Sequence, residues 1–319
     1  MTRRELVKAA IAHKVTPRVP YAIDFCGDAW EVLKTVAGGK TQEEFIDDDI
    51  MSFSAPWWDF YQLAEDWRKE DVPTSPLRVI GTGSYEKIFE RFKEARDKSD
   101  KYFLVRIYGS HFEKARDTRG SENFMADIAG SPKFAKGLMN RIVERNLVML
   151  ENFLQIPEID GVLLGSDWGS QRGLLTSLEA WDDVIRPGEQ REYDLCHAYG
   201  KDVWVHSCGN VEPLIGRLVE MGLDVLNPLQ PEGMDIARIK QTYGDNLAFW
   251  GGTSTQKPLP YGTPDEVRQE ARAVRDLLAA GGGYILSPAQ SIQSDVPLAN
   301  MLALLEVAKE GKSCSSTKT

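Results

Sequence analysis

The chain has 319 residues, 42% hydrophobic and 27% charged, enough to bury a barrel-sized core. Its 38 basic against 48 acidic residues give a formal net charge of -10 with no Lys/Arg block, which argues against a nucleic-acid partner. Four cysteines, Cys26, Cys196, Cys208 and Cys314, are too few and scattered for a disulfide framework, and no stretch approaches the roughly 20 consecutive apolar residues of a membrane helix.

The opening "MTRRELVKAAIAHK" places Leu6, Ala9, Ala10 and Ile11 at helical spacing with no signal-peptide core after it, so a cytoplasmic protein is expected. Eight short β-rich runs follow, at 18–25, 49–57, 102–109, 161–167, 203–209, 224–230, 247–253 and 284–288. Most are near-continuous apolar runs, as parallel strands covered on both faces should be, and they alternate with helical patterns such as 263–280 and 297–309. Eight strand–helix units in about 300 residues predict an α/β fold of the (β/α)8 TIM-barrel type, one domain over residues 1–310. Residues 60–100 are expected as a surface insertion. Residues 120–155 are expected as an extra helix with Leu138, Ile142, Asn146, Met149 and Phe153 on one face, and 311–319 as a disordered tail that removes Cys314 from consideration.

In such a barrel chemistry sits where strands hand over to loops. Polar residues gather at those ends: Asp24 and Cys26, Arg106 and His111, Asp167 with Gln171 and Arg172, His206 and Cys208, Asn227 and Gln230, Thr253 and Ser254, Gln290 and Gln293. "VWVHSCG" is the sharpest signal. At an extended strand end residues i and i+2 face the same side, so His206 and Cys208 can address one ion with imidazole and thiolate, a pair suited to zinc. A catalytic zinc takes a third protein ligand, for which Cys26, Asp24, Asp167 and the neutral Gln290 compete; the alternative is a hydrogen-bonded histidine beside a small buried thiol. In "GVLLGSDWGSQRG", Asp167 is a candidate base or ligand and Arg172 a fork for a substrate carboxylate, unless the two form a salt bridge that orders the loop. Asp24, Trp168, Gln230 and Gln290 are candidate substrate contacts, with Trp57, Trp58, Trp168 and Trp250 as core or as walls for a flat substrate. His111, Glu113, Arg119 and Glu122 line the mouth or a solvated helix face. The glycines of "FWGGTSTQ" and "LAAGGGYILSP" match no dinucleotide or phosphate-loop pattern.

"RVPYAIDF", "FEKARDTRGSENFMADI", "GVLLGSDWGSQRGLLTS", "HSCGNVEPLIGRLVEMGLDVLNPLQPEGMD" and "GGGYILSPAQSIQSDVPLANMLAL", in this order, resemble the uroporphyrinogen decarboxylase superfamily over nearly the whole chain. The resemblance implies a (β/α)8 barrel and leaves two activities open: porphyrinogen decarboxylation, and zinc-dependent methyl transfer to a corrinoid protein. The decarboxylases hold their many-carboxylate substrate with an arginine-rich N-terminal loop of the form P-x-W-x-M-R-Q-A-G-R, whereas "VPYAIDFCGDAW" has no arginine. The methyltransferases use a His-x-Cys pair, matched by His206 and Cys208, and a further cysteine whose position falls on Gln290. The resemblance therefore implies a methyltransferase of the O-demethylase type with zinc as cofactor, cobalamin on a partner corrinoid protein, a small methoxy donor and a possible homodimer. A metal-free lyase on a smaller carboxylate, and a barrel that binds a corrinoid or tetrapyrrole without catalysis, are the alternatives.

Overall fold

In the computed structural model, residues 1–55, 57–59, 78–80, 85–107 and 109–311 are described. The fold is α/β, and the chain divides into two compact units, one of Met51–Leu226 and one of Met1–Ile50 together with Asn227–Thr319.

In the first of these, strands β1 (Ile50–Ser54), β2 (Tyr102–Ile107), β3 (Gly161–Gly165), β4 (Asp202–His206) and β5 (Val225–Asn227) lie side by side in chain order. The β2–β3 and β3–β4 registers are parallel, the latter pairing Gly165 with His206. Every residue of β3 is buried, which explains its unbroken apolar run: both faces are covered. Tyr102, Asp202 and Trp204 tie the strand starts together, the Tyr102 hydroxyl donating to Asp202 at 2.7 Å and accepting from the Trp204 indole at 3.1 Å. A side chain at Gly161 would collide with both rings' polar atoms, so this network needs glycine there.

The helical span predicted at 120–155 forms two helices, Ser121–Gly130 and Pro132–Leu154. Pro132 starts the second, where its missing N–H costs nothing. The predicted face, Leu138, Ile142, Asn146, Met149 and Phe153, is buried. Within residues 60–100 the described parts are Arg78–Ile80, paired antiparallel with Trp57–Asp59, and helix Tyr85–Lys98; the rest of the predicted insertion lies outside the described residues. So do residues 312–319 of the predicted tail, with Cys314.

In the other unit β6 (Ala248–Thr253) and β7 (Tyr284–Pro288) pair in parallel. The run at 18–25 does not become a regular strand: it makes two isolated parallel bridges, Tyr21 to Leu286 and Phe25 to Ile292. Pro20 has no N–H to give, and the partner chain leaves the ladder between Leu286 and Ile292 before the N–H groups of Ile292 and Cys26 resume it. A Thr263/Glu266 capping box opens helix Pro264–Ala279. Among the described residues no helix is long and apolar enough to cross a membrane.

Candidate metal centre

The loop after β4 is fixed by its neighbour before any chemistry is considered. The Ser166 N–H donates to the His206 carbonyl at 2.9 Å, extending the β3–β4 ladder by one bond. Ser207 turns the opposite way from its neighbours and is fully buried, its hydroxyl accepting the Trp168 N–H at 3.0 Å. His206 and Cys208 consequently share the other side, with Nε2 and Sγ 3.3 Å apart. Gly209, at φ +81°, then reverses the chain against the short hairpin of Gly169–Ser170 and Gly173–Leu174, where the Asn210 N–H donates to the Ser170 carbonyl at 2.7 Å. A Cβ on Gly169 would lie 2.7 Å from the Cys208 carbonyl, and one on Gly209 2.7 Å from backbone of Gly169 and Ser170. Only two glycines allow this approach.

Asp167 comes from the loop after β3, one residue past the end of the extended ladder. The Cys208 N–H donates to its Oδ1 at 2.8 Å, and that oxygen lies 3.9 Å from His206 Nε2. One ligand atom each of Asp167, His206 and Cys208 thus falls within 4.8 Å of the others. Tetrahedral zinc with bonds of about 2.0–2.3 Å separates its ligand atoms by about 3.3–3.8 Å; the nitrogen–sulfur pair at 3.3 Å meets that spacing, and Asp167 Oδ1, 3.9 Å from the nitrogen, would have to close in by a few tenths of an ångström. The side chains of His206 and Asp167 are 15% and 38% exposed, which leaves a fourth position reachable from solvent. The surroundings are negative: burial, then the charges of Asp167 and Asp117, push the Glu113 carboxyl up to about 7. A cation there relieves that repulsion.

The other predicted residues are placed as follows. Arg172 is exposed in the turn of the short hairpin, its N–H donating to Ser170 Oγ at 3.2 Å, and no ion pair joins it to Asp167. Trp168 is 1% exposed and meets Trp181 edge-on at 5.5 Å; its ring is core rather than wall. Asp24, Cys26, Gln230 and Gln290 belong to the other unit, with Asp24 between the two bridges and Gln290 exposed. His111 and Arg119 are neither at a mouth nor on a solvated face: both are buried, Arg119 against Asp127 at 2.8 Å and His111 against Glu189 and Glu192. Sequence inspection missed the two glutamates. Glu189, Glu192, Tyr193 and Cys196 follow the i, i+3, i+4, i+7 spacing of a buried stripe, and that spacing was the available signal.

A Uroporphyrinogen decarboxylase (URO-D) family profile matches residues 109–311. Among solved structures, a methyltransferase from Methanosarcina mazei superposes with a TM-score of 0.68 at 16% identity, covering 98% of this chain and 100% of that one. A D-psicose 3-epimerase gives 0.44 at 12% identity over 86% and 92% of the two chains, and a 3-keto-D-glucoside 4-epimerase from E. coli gives 0.37 at 13% over 70% and 94%. The first likeness shows the fold; no curated protein sequence matches.

Proposed function

The chain belongs to the uroporphyrinogen decarboxylase (URO-D) family, and on that premise we propose that it is a zinc-dependent methyltransferase. It moves a methyl group from a small methoxy compound to cobalamin on a partner corrinoid protein, at the mouth of a closed (β/α)8 barrel built by residues 1–310 as one domain. The observation that carries this reading is the convergence of Asp167, His206 and Cys208.

Asp167 serves as the third ligand, in place of the cysteine whose position holds Gln290. When bound by these three side chains, zinc supplies Lewis acidity to the oxygen that carries the methyl group. The chain's own part is orientation. The Cys208 N–H holds Asp167 Oδ1, and the Trp168 N–H holds Ser207, so both loops keep their ligands aimed without substrate. Arg172, on the hairpin that packs under the ligand loop, offers a forked donor to an acidic substrate group.

The test is Cys208→Ser. Wild-type protein should hold about one equivalent of chelator-exchangeable zinc and methylate cob(I)alamin from an aryl methyl ether; the variant should fall below about 0.2 exchangeable equivalents and lose at least about 100-fold in rate. A variant that binds no exchangeable zinc yet retains full methyl transfer would sink the zinc-dependent reading; wild type that binds no zinc and transfers no methyl group would favour the metal-free lyase.

A further inference from the structure

The interior of the same unit contains a second group of metal-type donors that the proposed reaction does not use. His111 opens helix His111–Arg119, while Glu189 and Glu192 stand three apart on helix Arg186–Ala198 and so share a face. All three side chains are fully buried, 0% exposed. His111 Nδ1 lies 3.2 Å from Glu189 Oε1 and 3.6 Å from Glu192 Oε2. The helices come this close because residue 188 is glycine: a Cβ there would sit 2.6 Å from Val143 and 3.3 Å from the His111 ring.

The charges in this space do not balance. Among the described residues neither glutamate pairs with a lysine or arginine, so two buried carboxyl groups face a single imidazole, and both ionised they would leave a negative charge in the core. Glu189 Oε2, Glu192 Oε2 and Asn146 Oδ1 are buried without a hydrogen-bond partner, although Asn146 Nδ2 donates to Glu192 Oε1 at 2.8 Å. Asn146 is the one polar residue on the otherwise apolar stripe of its helix.

The imidazole is oriented as metal-ligating histidines are. Its Nε2 faces the Ile185 carbonyl at 3.3 Å, which leaves Nδ1 directed at the two carboxyl groups, where either a proton on Nδ1 or a cation between the three offsets their repulsion. Ile185 ends a π-helical turn, Trp181–Ile185, a feature frequent at functional sites. Divalent first-row ions with bonds of about 2.0–2.2 Å to nitrogen and oxygen set their ligand atoms about 3.0–3.6 Å apart, the spacing seen here. Ser110 Oγ lies 3.5 Å from both His111 Nδ1 and Glu189 Oε1 and is held by Ser166 Oγ at 2.6 Å.

We propose that His111, Glu189 and Glu192 form a second, closed site for a divalent first-row cation, zinc or manganese, which joins two helices and is structural. It is independent of the Asp167–His206–Cys208 set. With no thiolate it is the harder of the two, so manganese should enter it in preference to the cysteine site.

The decisive protein is Cys208→Ser, whose interior is untouched. Expressed with zinc and manganese supplied and assayed by plasma mass spectrometry, it should retain about one equivalent of metal that a chelator does not remove from the folded protein. Adding Glu189→Gln, or Glu192→Gln should the first pair fail to fold, should lower this below about 0.2 equivalents. Folded Cys208→Ser carrying less than about 0.2 equivalents overturns the proposal, as does retention of the metal after both the cysteine and a glutamate are replaced. Equal metal in wild type and Cys208→Ser would instead remove the proposed reaction centre and leave this site standing.

Discussion

The imidazole of His197 lies 3.0 Å from Asp224 Oδ2, and that hydrogen bond, against the opposing effect of burial, raises its pKa. Asp224 Oδ2 also accepts the Val203 N–H at 2.7 Å, so the pair anchors the start of β4. A histidine with a raised folded-state pKa adds stability in full below its unfolded value of about 6.5 and loses it as pH rises through the folded value. His197→Gln should therefore lower the melting temperature more at pH 5.5 than at pH 9, by a modest amount because the ring is 38% exposed. A deficit that does not change between those pH values would show that the ion pair contributes nothing. At this same scale, residue type was legible and environment was not. Trp168 is a large aromatic in either reading, but its place depends on Trp181, a packing partner that no local pattern reveals. His111 was visible as a histidine after a strand, whereas its burial follows from a glycine and two glutamates far along the chain.

Between elements, the ligand loop and the short hairpin act as one piece. Gly209→Ala brings two costs: a left-handed backbone of about 1–3 kcal/mol for a non-glycine residue, and a Cβ against Gly169 and Ser170 backbone that cannot rotate away. Gly38→Ala, at φ +62° with nothing within 4 Å, brings only the first. Urea unfolding should show the larger loss for Gly209→Ala, and zinc titration should show weaker exchangeable binding in that variant alone. Similar losses and unchanged zinc affinity would mean that the loop does not hold its ligands through the hairpin. The pairing of His206 with Cys208 was readable because strand alternation is local. The third ligand was not: choosing among Asp24, Cys26 and Asp167 needs the register that sets Gly165 beside His206, a relation between segments separated by a long helix and its loops. The runs that became β1 to β7 were legible for the same local reason, and the run at 18–25 failed as a strand where its partner, not its own composition, breaks the ladder.

Over the whole molecule, the motifs shared with the family were spread along the chain from residue 18 to residue 304, while composition only bounded the possibilities, because a net charge of -10 is compatible with many acidic proteins. That excess of acid does have a thermodynamic consequence. Asp167 is held near His206 and Cys208, and Glu189 near Glu192 and His111, in the folded chain, and each group spreads apart when it unfolds, so a divalent cation binds the native state in preference and stabilises it by mass action. At free metal about 100 times the dissociation constant each site contributes about 2.7 kcal/mol. The two sites share no ligand. Thermal unfolding of chelator-treated wild type should therefore shift upward with micromolar zinc through the exchangeable Asp167–His206–Cys208 set, and Cys208→Ser should lose that shift. Protein whose interior was never loaded, prepared by refolding in chelator, should melt several degrees below the chelator-treated native form. Coincident melting of the two preparations would mean that the buried carboxylates are balanced by a shared proton, and that the interior owes none of its stability to metal.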